Sequence, residues 1–261
     1  MNVKSGVSTM RCDGQIAVVV GGGSGIGRAT AELFAANGAV VVVAGRNEQS
    51  IEETAKLVSD AGGNSSWRTC DATRLAETDA LVEYVMNRYG RLDLMTTTVG
   101  GSDTTLFIEE EPDYWKHVIE MNLFSAFNIC KSALGPMTKQ QSGSIVLMSS
   151  DAGKVGTLGE TVYAAAKAGV IGFVKSLARE VARDGIRVNA VSPGPTDTPL
   201  LRAHADQFDQ KVLDKMIRVV PMKRVGQATE QAAAIVFLAS DAASYITGQT
   251  LSVSGGLTMN S

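Results

Sequence analysis

Gly21-Gly22-Gly23-Ser24-Gly25-Ile26-Gly27 joins an apolar run at residues 16–20 to an amphipathic stretch at residues 25–36. Glycines also punctuate ordinary loops, so such a turn is weak evidence by itself. Its setting, a strand before and a helix after, makes it informative. Glycines let backbone come close to a phosphate, and a helix N-terminus offers free N–H groups and the positive end of a dipole. The turn predicts a dinucleotide site at the head of a β-α-β unit.

The same alternation continues outward. Residues 40–44, 66–70, 92–96, 144–148, 187–191 and 249–253 read as further strands, with helical patterns such as 48–61 and 75–89 between them. Continuous Val-rich runs mark strands buried on both faces, as in a parallel sheet. The expected class is α/β: a single-domain, doubly wound Rossmann fold over residues 1–261, with a seven-stranded parallel sheet and helices on both faces. No repeat, low-complexity segment or linker interrupts it. Residues 195–227 break the rhythm with a helical pattern at 200–219, bounded by Pro199 and Pro221. That insertion would lie at the carboxyl end of the sheet, where ligands bind, and reads as a substrate lid; an ordinary surface helix pair is the alternative.

Bulk composition narrows the function. Of 261 residues 44% are hydrophobic, enough for a sizeable core, and a formal charge of -3 gives no reason to expect a nucleic-acid partner. No run reaches the ~18 apolar residues of a membrane span. Residues 1–13 lack the apolar core of a signal peptide, so a cytoplasmic location is expected. Cys12, Cys70 and Cys130 fit neither a disulfide framework nor a metal spacing and read as buried thiols. Two histidines, His117 and His204, make a histidine-based metal site unexpected.

Tyr163 and Lys167 stand four residues apart, on one face of a helix. An ammonium beside a phenol favours its ionised form, which suits it to exchange a proton with an alcohol or ketone. With a dinucleotide, such a pair predicts hydride transfer.

These motifs together resemble the short-chain dehydrogenase/reductase family, and the resemblance runs over residues 14–259. The glycine spacing, Gly21-x-x-x-Gly25-x-Gly27, is the family's, with Val20 in place of its usual threonine. Ser150 lies thirteen positions before Tyr163, the family's interval, and Asn122 matches its helix asparagine. By resemblance Asn122, Ser150, Tyr163 and Lys167 are the catalytic tetrad. Tyr163 would be the acid/base, Ser150 would orient the substrate oxygen, and Lys167 would hold the nicotinamide ribose. Asn122 would hold a water in a proton relay. Lys167 and the cationic nicotinamide should lower the Tyr163 pKa toward neutrality. The family's cofactor contacts fall on Gly21, Ser24, Gly25, Ile26 and Gly27, on Arg46 and Asn47 after the second strand, and on Asp71 and Ala72 after the third. They continue at Thr98, Gly100, Pro193, Gly194, Thr196 and Thr198, together with Tyr163 and Lys167. Gly45-Arg46-Asn47 lacks the acid that binds ribose hydroxyls and offers a guanidinium suited to a 2′-phosphate, so NADP(H) is expected, with NAD(H) as the alternative. Arg46 as a merely solvated side chain, and Asp71 as a helix-capping residue, are the plainer readings. No metal is required.

Two departures stand out. Where the family carries Asn-Asn-Ala-Gly, this chain has Thr97-Thr98-Val99-Gly100, and threonine cannot copy an amide, so the cofactor pocket and local stability there are in question. Within the family the chain broadly resembles bacterial 3-oxoacyl-[acyl-carrier-protein] reductases, yet Gln141 and Asp184 occupy the positions of their carrier-binding basic residues, with Lys139 and Arg183 nearby. The expectation is therefore a reductase or dehydrogenase for a small carbonyl or alcohol. Fatty-acid synthesis is the alternative, and a dinucleotide-binding sensor without turnover is more remote. Pocket candidates are Ser102, Asp103 and Thr104, Asp151, residues 157–160 and the lid. Small and apolar residues on the helical stretches 112–137 and 160–184, such as Ala164, Ala165, Gly169 and Phe173, predict a homotetramer.

Overall fold

The computed structural model describes residues 10–205, 214 and 217–259, with only the backbone of residues 204 and 205. Seven strands form one parallel sheet: β1 (Ile16–Val20), β2 (Val40–Gly45), β3 (Asn64–Thr69), β4 (Leu94–Thr97), β5 (Gly143–Met148), β6 (Ile186–Pro193) and a last strand, Thr250–Val253. Two short strands precede that last one, β7 (Thr196–Asp197) and β8 (Gly226–Gln227), and pair only with each other, so the last is β9. The order across the sheet is β3-β2-β1-β4-β5-β6-β9. The direction of winding reverses between β1 and β4, which opens a crevice beyond their carboxyl ends, the ligand position of doubly wound sheets.

The inner strands are apolar on both faces because helices cover both. One core layer sets Val18, Val42, Met95, Ile145 and Val188 against α3 (Leu75–Tyr89), α5 (Ser125–Gln140) and α7 (Thr161–Val181). The other sets Val19, Val41, Val43, Val146 and Val191 against α1 (Gly25–Ala36), α2 (Glu48–Asp60) and a C-terminal helix, Ala228–Ala239. Cys12, Cys70 and Cys130 are buried and unbridged, and burial pushes the Cys130 thiol up to about 12.

Three expectations shift. The third strand starts at Asn64 rather than at 66, and the fourth at Leu94 rather than at 92. The stretch 112–137 is not one regular helix: α4 (Pro112–Ile119) passes through a π turn, Glu120–Phe124, into α5. Of the helical pattern at 200–219, α8 (Pro199–Ala205) forms its start and residues 217–219 are helical, while 206–213 and 215–216 lie outside the described residues. With α6 (Ala152–Val155), the C-terminal helix is α9.

Candidate active site

The glycine turn closes on itself tightly. Gly21 and Gly22 donate their N–H groups to the Ala44 carbonyl, at 2.8 and 3.0 Å. A Cβ on Gly27 would strike the Gly21 carbonyl and stand 2.6 Å from Thr98 Oγ1. Ser24 occupies the N-cap of α1 but its side chain caps nothing, and no acid stands in the first turn. Free N–H groups at a helix end without an acid suit an anion. Gly25 has φ +50° and lies under Thr198, whose Cβ would be 3.3 Å from a side chain there, so β6's following loop meets the helix end. Ile26 packs beneath, into the core.

The crevice continues along the strand ends. Arg46 is exposed at the end of β2, and its charge reaches Asp71 after β3. Burial works against the Asp71 carboxylate, but the Thr73 N–H and hydroxyl, with Arg46 and Arg74, outweigh it and hold its pKa below the usual range. Asp71 thus spends one oxygen on a local turn with Thr73, while Arg74 stands at the N-cap of α3. Asn47 is also occupied: its side chain accepts from Ser50 N at 2.9 Å and caps α2. Ala72 is buried, and its carbonyl accepts from Asn128.

The threonines do not leave the end of β4 loose. Thr98 Oγ1 donates to the Gly21 carbonyl at 3.1 Å, and Thr96 Oγ1 to Val146 O on β5 at 2.7 Å. Thr97 Oγ1 accepts from Val99 N at 3.2 Å. Single hydroxyls make the cross-strand ties here by reaching backbone carbonyls.

Beyond β5, Ser150 stands beside Tyr163, close enough for its hydroxyl to ease the phenol's ionisation. Lys167 is 1% exposed, donates from Nζ to the Met148 carbonyl at 3.0 Å, and lies 5.6 Å from the centre of the Tyr163 ring. A Cβ on Gly100, at φ +149°, would stand 2.7 Å from Lys167 Nζ and 2.6 Å from Asn122 Oδ1. The backbone thus approaches the lysine as only glycine allows. Asn122, on the π turn, donates from Nδ2 to Gly101 O and Val118 O and accepts from Gly101 N. Its amide clamps the segment after β4, so the side chain itself has little left for a water.

Electrostatics depart from the spacing argument. Burial pushes Tyr163 up to about 12, eased by the Ser150 hydrogen bond and increased by Glu160. Burial also drives Lys167 down to about 7. Desolvation opposes both charged forms, so the protein's own groups leave Tyr163 a neutral phenol. A value near neutrality would need a further positive charge beside it.

On the far side, a Cβ on Gly194 would stand 2.6 Å from Ser254 Cβ, and Gly194 N donates to Val253 O. Pro193 ends β6, and buried Thr196 accepts from Gln231 Nε2 at 3.1 Å. Asp151 is not a pocket residue. It is 4% exposed, and one of its oxygens accepts from Ser252 on β9 at 2.8 Å. Two further residues support the site without a signal in the glycine or Tyr-Lys motifs. Ser149 Oγ donates to Lys167 O at 2.9 Å, and Gly153 allows α6 to touch the α7 backbone at Lys167. The Ser149-Ser150 doublet was the available hint for the first; the second depends on packing that spacing does not encode.

The structure therefore brings Asn122, Ser150, Tyr163, Lys167 and Gly100 into one group beside the glycine turn. A family model described as enoyl-(acyl carrier protein) reductase matches residues 20–258. The 3-oxoacyl-[acyl-carrier-protein] reductase FabG of Salmonella typhimurium is 41% identical over 251 residues, covering 96% of this chain and all of the relative, and that of Escherichia coli aligns to the same extent. The corresponding Thermotoga maritima protein is 37% identical over 248 residues, covering 95% and 99%. Among solved structures, a variant of actinorhodin polyketide ketoreductase with NADPH superposes with a TM-score of 0.89 at 35% identity, over 96% of this chain and 98% of that one. The structure of gox2181 superposes with a TM-score of 0.91 at 32% identity, over 95% and 97%.

Proposed function

This chain belongs to the short-chain dehydrogenase/reductase family, and from that premise we propose that it reduces a ketone to a secondary alcohol with NADP(H), Tyr163 acting as general acid. The observation that carries the assignment is the placing of Tyr163 beside Ser150 and the buried Lys167, whose Nζ lies 5.6 Å from the Tyr163 ring centre. The bound dinucleotide supplies hydride to the carbonyl carbon. Ser150 donates to the carbonyl oxygen and fixes its direction, and the Tyr163 hydroxyl gives that oxygen its proton. Burial keeps the Tyr163 phenol protonated, the form that can give a proton to the carbonyl oxygen. Lys167, fixed by Met148 O, would hold the ribose side, and its ammonium form would stabilise the phenolate that Tyr163 becomes on giving up its proton. Asn122 acts as a positioning residue through Gly101.

For the cofactor, Gly21, Ser24, Gly25, Ile26 and Gly27 would take the diphosphate, helped by Thr198 over Gly25. Asp71, Ala72, Thr98 and Gly100 would line the adenosine and ribose side, and Pro193, Gly194 and Thr196 the nicotinamide. Asn47 would contribute through backbone, since its side chain caps α2. The uncapped, acid-free N-terminus of α1 fits the diphosphate, and exposed Arg46 beside Asp71 fits a 2′-phosphate. The solved relative carrying NADPH supports that choice.

The chain reads as one domain, with residues 195–227 as its lid: Leu200 Cδ2 lies 3.5 Å from where a Cβ on Gly101 would be. A cytoplasmic homotetramer belongs to the same reading. Phe124 is half exposed on the joined faces of α5 and α7 and meets Phe127, which meets Phe173 at 4.7 Å. The second reading, reduction of a carrier-bound 3-oxoacyl group, rests on the relatives' names. A panel of ketones, assayed with NADPH and with NADH by cofactor absorbance, tests the proposal. Ketone-dependent oxidation of NADPH supports it, and no turnover across neutral and thioester ketones would defeat it.

A further inference from the structure

The mouth of the site is built from two loops that hold each other. Thr105 N donates to Gly159 O at 2.9 Å, and Gly159, at φ +76°, packs so closely on Thr104 that a Cβ would lie 2.7 Å from its methyl. Apolar side chains stand outward on both loops. Ile108 is 90% and Leu158 85% exposed, and half-exposed Phe107 stacks on Trp115 with ring centres 5.2 Å apart. Half-exposed Leu200 faces Gly101 from across the opening.

The charge on the first of these loops is acidic. Residues 103–113 carry five carboxylates, Asp103, Glu109, Glu110, Glu111 and Asp113, and no base. Ser102 Oγ donates to Glu160 Oε1 at 3.5 Å, directly before the helix of Tyr163. Tyr114 joins the set by donating to Asp103 O and accepting from Asp103 N. Burial raises the Tyr114 phenol against the hydrogen bond from the Asp103 backbone, and the charges of Asp103, Glu110 and Glu160 raise it further. Glu110 Oε2 is buried without a hydrogen-bond partner among the described residues. Among the described residues, Lys116 pairs with Asp113 at 2.9 Å and Arg202 with Asp197 at 2.8 Å.

We propose that this site selects an uncharged ketone with an apolar body and discriminates against one carried on an anionic handle, whether a phosphopantetheine nucleotide or an acidic carrier protein. The apolar side chains gain by covering hydrocarbon. The carboxylates repel phosphate and acidic surface, and a rim of like charge lowers productive encounter. The inference rests on the reading of the site as a ketone reductase, and it separates this chain from what its named relatives act on.

One acyl group on different handles isolates the effect. With NADPH, kcat/KM is compared for the 3-oxobutanoyl thioester of neutral N-acetylcysteamine, the same group on coenzyme A, and the same group on acyl carrier protein. The neutral thioester is expected to be better by at least about tenfold at low ionic strength, with the gap closing as salt screens the rim. The double variant Glu109→Lys/Glu111→Lys should shift the ratio toward the coenzyme A thioester by about tenfold. Equal or better turnover on either anionic handle, or a ratio that salt and the charge reversal leave unchanged, overturns the inference while the reductase reading stands. No turnover on any of the three, or on simple ketones, defeats the reductase reading itself and the inference with it.

Discussion

Replacing Lys167 by Met should make the protein more stable and inactive, and the gain should depend on pH. Lys167 is buried without a carboxylate partner among the described residues, and its amine is driven from an ordinary 10.5 to about 7. Such a shift corresponds to a cost of about 5 kcal/mol for holding the ammonium in the fold. The unfolded chain keeps the proton up to about pH 10 and the folded one only below about pH 7. Below pH 7 both states are protonated and the full cost stands. Between the two values unfolding takes up a proton, so wild-type stability from this group rises with pH. Methionine, unbranched and one atom shorter, removes the charge, but it abandons the Met148 carbonyl, at roughly 1–3 kcal/mol. The net gain at neutral pH is therefore a few kcal/mol, or several degrees in Tm. It should shrink through about pH 9 and reverse near pH 10, where only the lost hydrogen bond remains. Urea unfolding of both proteins at one concentration, from about pH 6.5 to about pH 9.5, measures the difference. A variant less stable than wild type at neutral pH, or a difference that stays flat with pH, would refute the reasoning.

Arg46→Ala should weaken NADPH binding by about ten- to a hundredfold, the worth of one charge-assisted bond, and change NADH binding little. Titration with both cofactors decides it, and an unaltered ratio would make Arg46 a solvated side chain. Gly100→Ala should lower kcat by at least about tenfold, because the added methyl would displace Lys167 Nζ or Asn122 Oδ1 and φ +149° disfavours alanine. Steady-state kinetics alongside a melting curve separate this loss from simple unfolding.

Much of the fold was legible because burial and sequence agree along the inner strands. Residues 40–44 are Val-rich and their central residues are fully buried. At β3 the agreement fails: an edge strand of Asn, Ser, Trp, Arg and Thr has no apolar run to mark its start. Leu92 misleads in the opposite sense. It is fully buried, yet Gln140 clamps both its N–H and its carbonyl before the strand begins. The π turn at Asn122 was hidden because one extra residue per turn hardly alters helical periodicity, while the amide bonds that go with it come from Gly101, far along the chain. The Tyr163–Lys167 spacing identified the pair but not its protonation, since burial, which spacing does not report, governs both groups. The threonine ties at Thr96 and Thr98 were missed for a related reason: their partners are backbone carbonyls on neighbouring elements.

The most direct test of the whole account is the turnover of Tyr163→Phe on a ketone that the wild type reduces. The ring and its packing remain and only the proton is deleted. With NADPH affinity retained, kcat should fall by at least about a hundredfold, the usual scale of general acid catalysis. Turnover close to wild type, with the cofactor bound as before, would contradict the assignment of Tyr163 and with it the mechanism.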